Sequence, residues 1–193
     1  MKTKIVVATA AGIGEAWLGI PGVEMTPGGR LYLTWFSGGD KEPHADNQVW
    51  LSVSDDGGRT VTPPARMTWP ADDTRTYDPT LWLDPRGVLW LIYNQGSRVT
   101  GEHGIFARCC ENPDAPSPAW SRPRRLGYDV PFCARMNKPT VLTTGEWLMP
   151  VTWSTDDPHV WWTSNNRQGV GISTDHGESW ELCGAVDAPA APN

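Results

Sequence analysis

Ser173-Thr174-Asp175-His176-Gly177-Glu178-Ser179-Trp180 reads S-x-D-x-G-x-[S/T]-W, and Ser54-Asp55-Asp56-Gly57-Gly58-Arg59-Thr60 repeats it upstream as far as Val61, where the aromatic residue is missing. In a β-hairpin this spacing has a definite job. The aspartate accepts backbone N–H groups across the turn, and glycine takes the positive φ that a residue with a Cβ resists. The hydroxyl and the tryptophan pin the turn back onto its sheet, the ring covering apolar surface. Each copy follows a β-patterned run, so the pair implies a repeated hairpin.

Working outward, a longer unit is written three times. Ile20-Pro21-Gly22-Val23-Glu24-Met25 leads through Gly29 into Leu31-Tyr32-Leu33-Thr34-Trp35. Asp78-Pro79-Thr80-Leu81-Trp82-Leu83 leads through Gly87 into Leu89-Trp90-Leu91-Ile92-Tyr93, and Lys138-Pro139-Thr140-Val141 leads through Gly145 into Trp147-Leu148-Met149-Pro150-Val151. Gly29, Gly87 and Gly145 stand 58 residues apart (87 − 29 and 145 − 87), each in a tight turn between two strands. Third strands follow at Gln48–Val53, Gly104–Arg108 and Gln168–Ser173, then a hairpin and a fourth strand. The middle hairpin, Glu111 to Trp120, has three prolines and no Asp-x-Gly core, yet Trp120 keeps the aromatic anchor. Four short antiparallel strands per unit at this period read as an all-β fold, a β-propeller of four-stranded blades. The expected blades are residues 17–69, 77–128 and 135–186, with residues 1–14, and Lys4 to Thr9 in particular, as a ring-closing strand. Three blades leave two open flanks, so the chain reads as the N-terminal part of a longer protein, with association of two copies as the alternative.

Composition narrows the function. A net charge of −6, with acidic and basic residues interleaved, argues against nucleic acid or an anionic membrane as partner. No run is long enough for a membrane-spanning helix. Twelve tryptophans beside 20 glycines and 18 prolines fit short aromatic strands joined by many turns. The start of the chain carries no convincing signal peptide. Cys109, Cys110, Cys133 and Cys183 lack zinc spacing and read as small buried hydrophobes, with Cys109 and Cys110 on opposite faces of a strand. The expectation is a reducing, cytoplasmic setting with no metal and no cofactor.

In a propeller, the connections between second and third strands share one face with the inter-blade connections. Here they are long and polar: Ser37 to Asn47, Asn94 to His103, and Ser154 to Arg167. The first holds Asp40, Glu42, His44 and Asp46, where burial would raise a carboxyl pKa and make a general acid. Each long loop sets a histidine beside a carboxylate (His44, His103, His159), a set that would suit a metal or acid/base cluster if all three converged on the axis but whose spacing is more commonly that of structural or surface histidines. Arg75-Thr76-Tyr77-Asp78 and Arg135-Met136-Asn137-Lys138 precede the innermost strands, next to the expected channel. There they suit charge-assisted binding of an anionic sugar or, equally, pairing with nearby acids. Trp161-Trp162 in the third loop suits stacking on a sugar ring or, equally, packing of the loop onto a neighbouring blade.

With Trp35-Phe36-Ser37-Gly38-Gly39, Asp84-Pro85-Arg86-Gly87, Arg135-Met136-Asn137-Lys138-Pro139 and the two Asp-x-Gly hairpins, the chain resembles the sialidase (neuraminidase) superfamily, in its BNR or Asp-box, exo-α-sialidase-like branch. The resemblance implies six blades, three arginines on the substrate carboxylate, an aspartate as acid/base and a tyrosine nucleophile activated by a glutamate. Asp46 or Asp40 matches the acid/base by position. Arg75, Tyr77, Asp78, Arg135, Asn137, Lys138, His44, His103, His159, Trp161 and Trp162 are the expected substrate contacts. Gly19-Ile20-Pro21 stands where the family has Arg-Ile-Pro, so the first arginine is absent, and neither Tyr77 nor Tyr128 is assigned as nucleophile. The reading is a sialidase-like exo-glycosidase domain, incomplete in this chain, acting on a terminal acidic sugar of a glycan. A glycan-binding or scaffold propeller without chemistry is the alternative.

Overall fold

The run from Leu81 to Tyr93 is apolar on both faces of its strands, which a sheet tolerates only when both faces are covered. The computed structural model, which describes residues 17–71, 73–97, 99–101, 103–155 and 166–186, shows what covers them. Among the described residues there are strands and turns and no helix. A first sheet holds β1 (Leu18–Met25), β2 (Leu31–Ser37), β3 (Gln48–Ser54) and β4 (Ala65–Arg66) in that order. A second holds β5 (Thr74–Leu83), β6 (Leu89–Ser97), β7 (His103–Cys110) and β8 (Arg124–Arg125). The third has its first strand in two pieces, β9 (Phe132–Arg135) and β10 (Thr140–Val141), both paired to β11 (Trp147–Ser154), which continues into β12 (Arg167–Ser173) and β13 (Glu181–Val186). All pairings are antiparallel between neighbours in sequence. The second and third sheets begin at Thr74 and Phe132, ahead of the expected residues 77 and 135, so Arg75 and Tyr77 lie within a strand and not in a connection. The expected strand at Lys4 to Thr9 falls outside the described residues, as do Glu102, His159, Trp161 and Trp162.

The middle sheet lies between two cores that divide its residues by parity. Leu81, Leu89, Leu91, Tyr93 and Cys110 face the first sheet and pack with Tyr32, Phe36, Val49 and Leu51. Trp82, Trp90, Ile92, Ile105 and Ala107 face the third and pack with Met149, Val151, Trp153 and Trp180 around Trp147. Trp147 meets Trp82 edge-on at 4.7 Å and Trp90 at 5.8 Å between ring centroids, geometry that adds to area burial.

Where the repeat places its prolines, the first strands bulge. Two residues, Ile20-Pro21 on β1 and Asp78-Pro79 on β5, stand against one on the neighbouring strand. Proline has no N–H to give the ladder, so a bulge accommodates it. In the third sheet the gap between β9 and β10 contains Pro139. Gly29, Gly87 and Gly145 all take positive φ in the turns that follow.

The hairpins behave as the spacing requires. Asp175 accepts N–H of Ser179 at 2.9 Å, Gly177 N–H donates to Ser173 Oγ at 2.8 Å, and Trp180 Nε1 donates to the Gly177 carbonyl at 3.2 Å. Asp56, Gly58 and Ser54 repeat the arrangement. The hairpin of residues 111–120 instead clamps a neighbouring sheet: Asp114 accepts from Thr26 Oγ1 and Gly28 N–H, and Arg30 donates to the Pro113 and Ala115 carbonyls. Trp120 stands edge-on to Tyr32 at 6.2 Å, anchoring one sheet to the next.

Candidate functional site

Arg75, four residues before Pro79, and Arg135, four residues before Pro139, are equivalent in the repeat, and both are buried, 3% and 5% exposed. Each is delivered by the first strand of its sheet, just ahead of the bulge. Asn94 ties the two sheets together here: it accepts the Arg135 N–H at 2.8 Å and donates to the Arg135 carbonyl at 3.2 Å. The Arg135 guanidinium donates to the main-chain carbonyl of Asp78, while its Nε is buried with no hydrogen-bond partner. Burial, opposed by the charge of Asp78, pushes Arg135 down to about 10, which leaves it charged at neutral pH.

Asp78 sits in the bulge with φ of 48°, a conformation costly for a residue with a Cβ. Burial raises its carboxyl above the ordinary range, helped by Glu42 and opposed by Arg135, Arg75 and a hydrogen bond with Asn94. Arg75 lays its guanidinium 3.8 Å over the Tyr77 ring and donates to Glu42 Oε1 at 2.9 Å. Desolvation pushes the Tyr77 phenol up, with smaller effects from Arg75, Asp78 and Glu42. A cavity of about 290 Å³ opens beside Arg75, lined also by Lys41, Pro43, His44, Asp73 and Val99. At the cavity the Arg75 guanidinium can hold an anion, and Asp78 and Asn94 can take hydroxyls.

The remaining expected residues are placed as follows. Asp40 and Asp46 are exposed on the first loop, so neither carboxylate has the burial that the general-acid argument asked for. Asp46 donates its N–H to His44 Nδ1 at 3.1 Å, and its carboxylate lies 3.5 Å from the same nitrogen. His103 is a buried strand residue, with Nδ1 3.0 Å from the Gly101 carbonyl and its ring 5.3 Å from Phe132. Lys138 pairs with Glu24 of β1 at 3.1 Å, and Asn137 accepts the Lys138 N–H at 2.8 Å. Tyr128 is buried in the core, its phenol raised by desolvation. Among the described residues no three of His, Cys, Asp and Glu gather as metal ligands.

Reading the sequence missed two members. Asn94 is marked only by standing where β6 passes the bulge of β5, and Glu42 was one acid among several on its loop. Neither position has a spacing signature of its own.

The comparisons with known proteins agree with this architecture. The model of the BNR repeat-like domain matches residues 29–191. No curated protein matches the sequence. Among solved structures, the Hadza microbial sialidase Hz136 is similar over 87% of this chain and 37% of its own, at 16% identity and a TM-score of 0.67. A protein of unknown function from Dyadobacter fermentans is similar over 90% of this chain and 56% of its own, at 15% identity and a TM-score of 0.69. The Penicillium chrysogenum α-L-arabinanase, complexed with arabinobiose, is similar over 89% and 50%, at 18% identity and a TM-score of 0.59. At these identities the likeness is one of fold, and the chain spans only about a third to three-fifths of such proteins. Three repeated sheets, with a family model covering nearly all of them, make the chain a member of the BNR repeat-like domain family.

Proposed function

We propose that the three sheets are consecutive blades of a six-bladed, sialidase-type propeller with Asp-box hairpins. On this reading its loop-bearing face belongs to an exo-glycosidase that binds a terminal acidic sugar. The observation that carries the proposal is that Arg75 and Arg135, two buried cations from equivalent positions of adjacent sheets, both act on the charge of Asp78. Cations are rarely buried without work for them, and a fork of guanidinium donors suits a carboxylate. Neighbours of similar fold include a sialidase and an arabinanase; the paired arginines favour the acidic substrate over a neutral pentose. Asp78 and Asn94 take sugar hydroxyls. Asp46 or Asp40 serves as proton donor once a bound ring covers the first loop, and Asn137, Lys138, His44, His103, His159, Trp161 and Trp162 remain the outer contacts of the same proposal.

Titration of the purified chain with N-acetylneuraminic acid and glucuronic acid tests it. Binding is expected, and Arg135→Gln is expected to weaken it about tenfold or more, the loss of one charge-assisted contact. Failure of both acids to bind, together with no release of aryl sialosides or aryl uronides by the full-length protein, overturns the reading. A second reading, a glycan-binding propeller without hydrolysis, is favoured by the first loop: Asp40 and Asp46 stand exposed, without the burial that makes a carboxyl a general acid. Asp46→Asn separates the two, abolishing turnover in an enzyme and sparing binding in a lectin-like module.

A further inference from the structure

Beside Lys41 and Asp73 of the cavity lining, four charged groups among the described residues form two contacts, Arg135 with Asp78 and Arg75 with Glu42, and the two are built differently. Asp78 is fixed in a strand, and its own main-chain carbonyl also holds Arg135, so that pair cannot separate without unmaking the bulge. Glu42 lies between β2 and β3, on a loop with no strand pairing, and its side chain is 32% exposed where that of Arg75 is 4% exposed. It contacts Arg75, which lines the 290 Å³ cavity. Of the four charged groups, Glu42 alone can turn into water while the sheets stay as they are.

We propose that Glu42 is a specificity-determining residue: it is the exchangeable counter-ion of Arg75, standing in for the ligand's anionic group and yielding to it when an acidic sugar binds. This rests on the acidic-sugar reading above. A ligand carboxylate entering with Glu42 in place would set two anions on one guanidinium, a like-charge contact that a confined site disfavours. With Glu42 turned to solvent, Arg75 exchanges one carboxylate for another. A neutral sugar brings no replacement charge, so Glu42 stays and the site remains balanced. Glu42 therefore sets how strongly acids are preferred over neutral sugars.

The test is calorimetric titration of the full chain, of Glu42→Gln and of Glu42→Ala, with N-acetylneuraminic acid, glucuronic acid and L-arabinose, each protein first checked for an unchanged melting curve. Both variants are expected to bind the two acids about twofold to fivefold more tightly, the range for a partly exposed ion pair, with any affinity for arabinose unchanged. Acids that bind the wild type but bind the variants equally or more weakly overturn the counter-ion role alone; Glu42 would then be orienting Arg75. Acids that bind none of the three proteins overturn the acidic-sugar reading, and this inference with it.

Discussion

Asp175 shows how one carboxylate holds a turn. Hydrogen bonds from Ser179 and Ser173 hold its carboxyl at about 2, below the ordinary aspartate value. Because the folded value is depressed, the contribution is present above about pH 4 and lost as pH falls through about 2. Asp175→Asn is thus expected to lower the melting temperature by a few degrees near neutral pH, with the gap from wild type closing as acid is added. An equal gap in acid would show that shape, not charge, secures the turn. The cysteines give a second prediction. Burial pushes Cys109 up to about 11 and Cys133 up to about 12, and raises Cys110, whereas Cys183 is exposed, contrary to its expectation as a buried hydrophobe. An aromatic disulfide reagent at neutral pH should therefore titrate one thiol quickly and the other three only after denaturation; two or more fast thiols would contradict the packing.

At the scale of the element, the turn between β5 and β6 depends on Asp84, whose side chain is fully buried. One oxygen accepts the N–H groups of Arg86 and Val88, at 2.8 and 3.1 Å. The other accepts Arg86 Nη2 at 2.7 Å and Trp90 Nε1 at 3.1 Å. The turn also joins sheets, since Arg86 lies 5.2 Å from the Trp147 ring and its Nη2 donates to the His176 carbonyl at 3.5 Å. Asp84→Ala should cost about 2–4 kcal/mol in a denaturant titration, because the buried Trp90 Nε1 and the part-buried N–H groups of the turn lose their acceptor together. A loss below about 0.5 kcal/mol, typical of a surface substitution, would show the turn to be self-supporting.

For the molecule as a whole, the middle sheet states a rule that the outer sheets do not satisfy. Its two faces are covered, but Val23 and Met25 on the far face of the first sheet are 57% and 59% exposed, beside Leu33, Trp35 and Trp50. The indole nitrogens of Trp35 and Trp50 are buried without a hydrogen-bond partner. On the third sheet Leu142 is 41% and Val186 64% exposed, with Val170 and Ile172 half-buried. Exposed apolar sheet faces associate. The 193-residue chain should therefore scatter light as an oligomer that grows with concentration, and Val23→Lys with Met25→Lys should shift it toward monomer. A strictly monomeric wild type would mean that these faces are already covered.

The sequence by itself determined the repeat. Glycines 58 residues apart, the Ser173–Trp180 spacing and the two-residue alternation are local, because turn chemistry and strand periodicity are properties of neighbouring residues. It also marked Arg75, Asp78 and Arg135, since each keeps a fixed distance from a repeat proline. Packing across the sheets sets which side chains those arginines meet. Asp78, Asn94 and Glu42 come from a bulge, the strand beside it and a loop of another sheet, and the same fold leaves Asp40 and Asp46 in water. Desolvation and charge pairing depend on distance and burial across sheets, and no spacing along a chain encodes either.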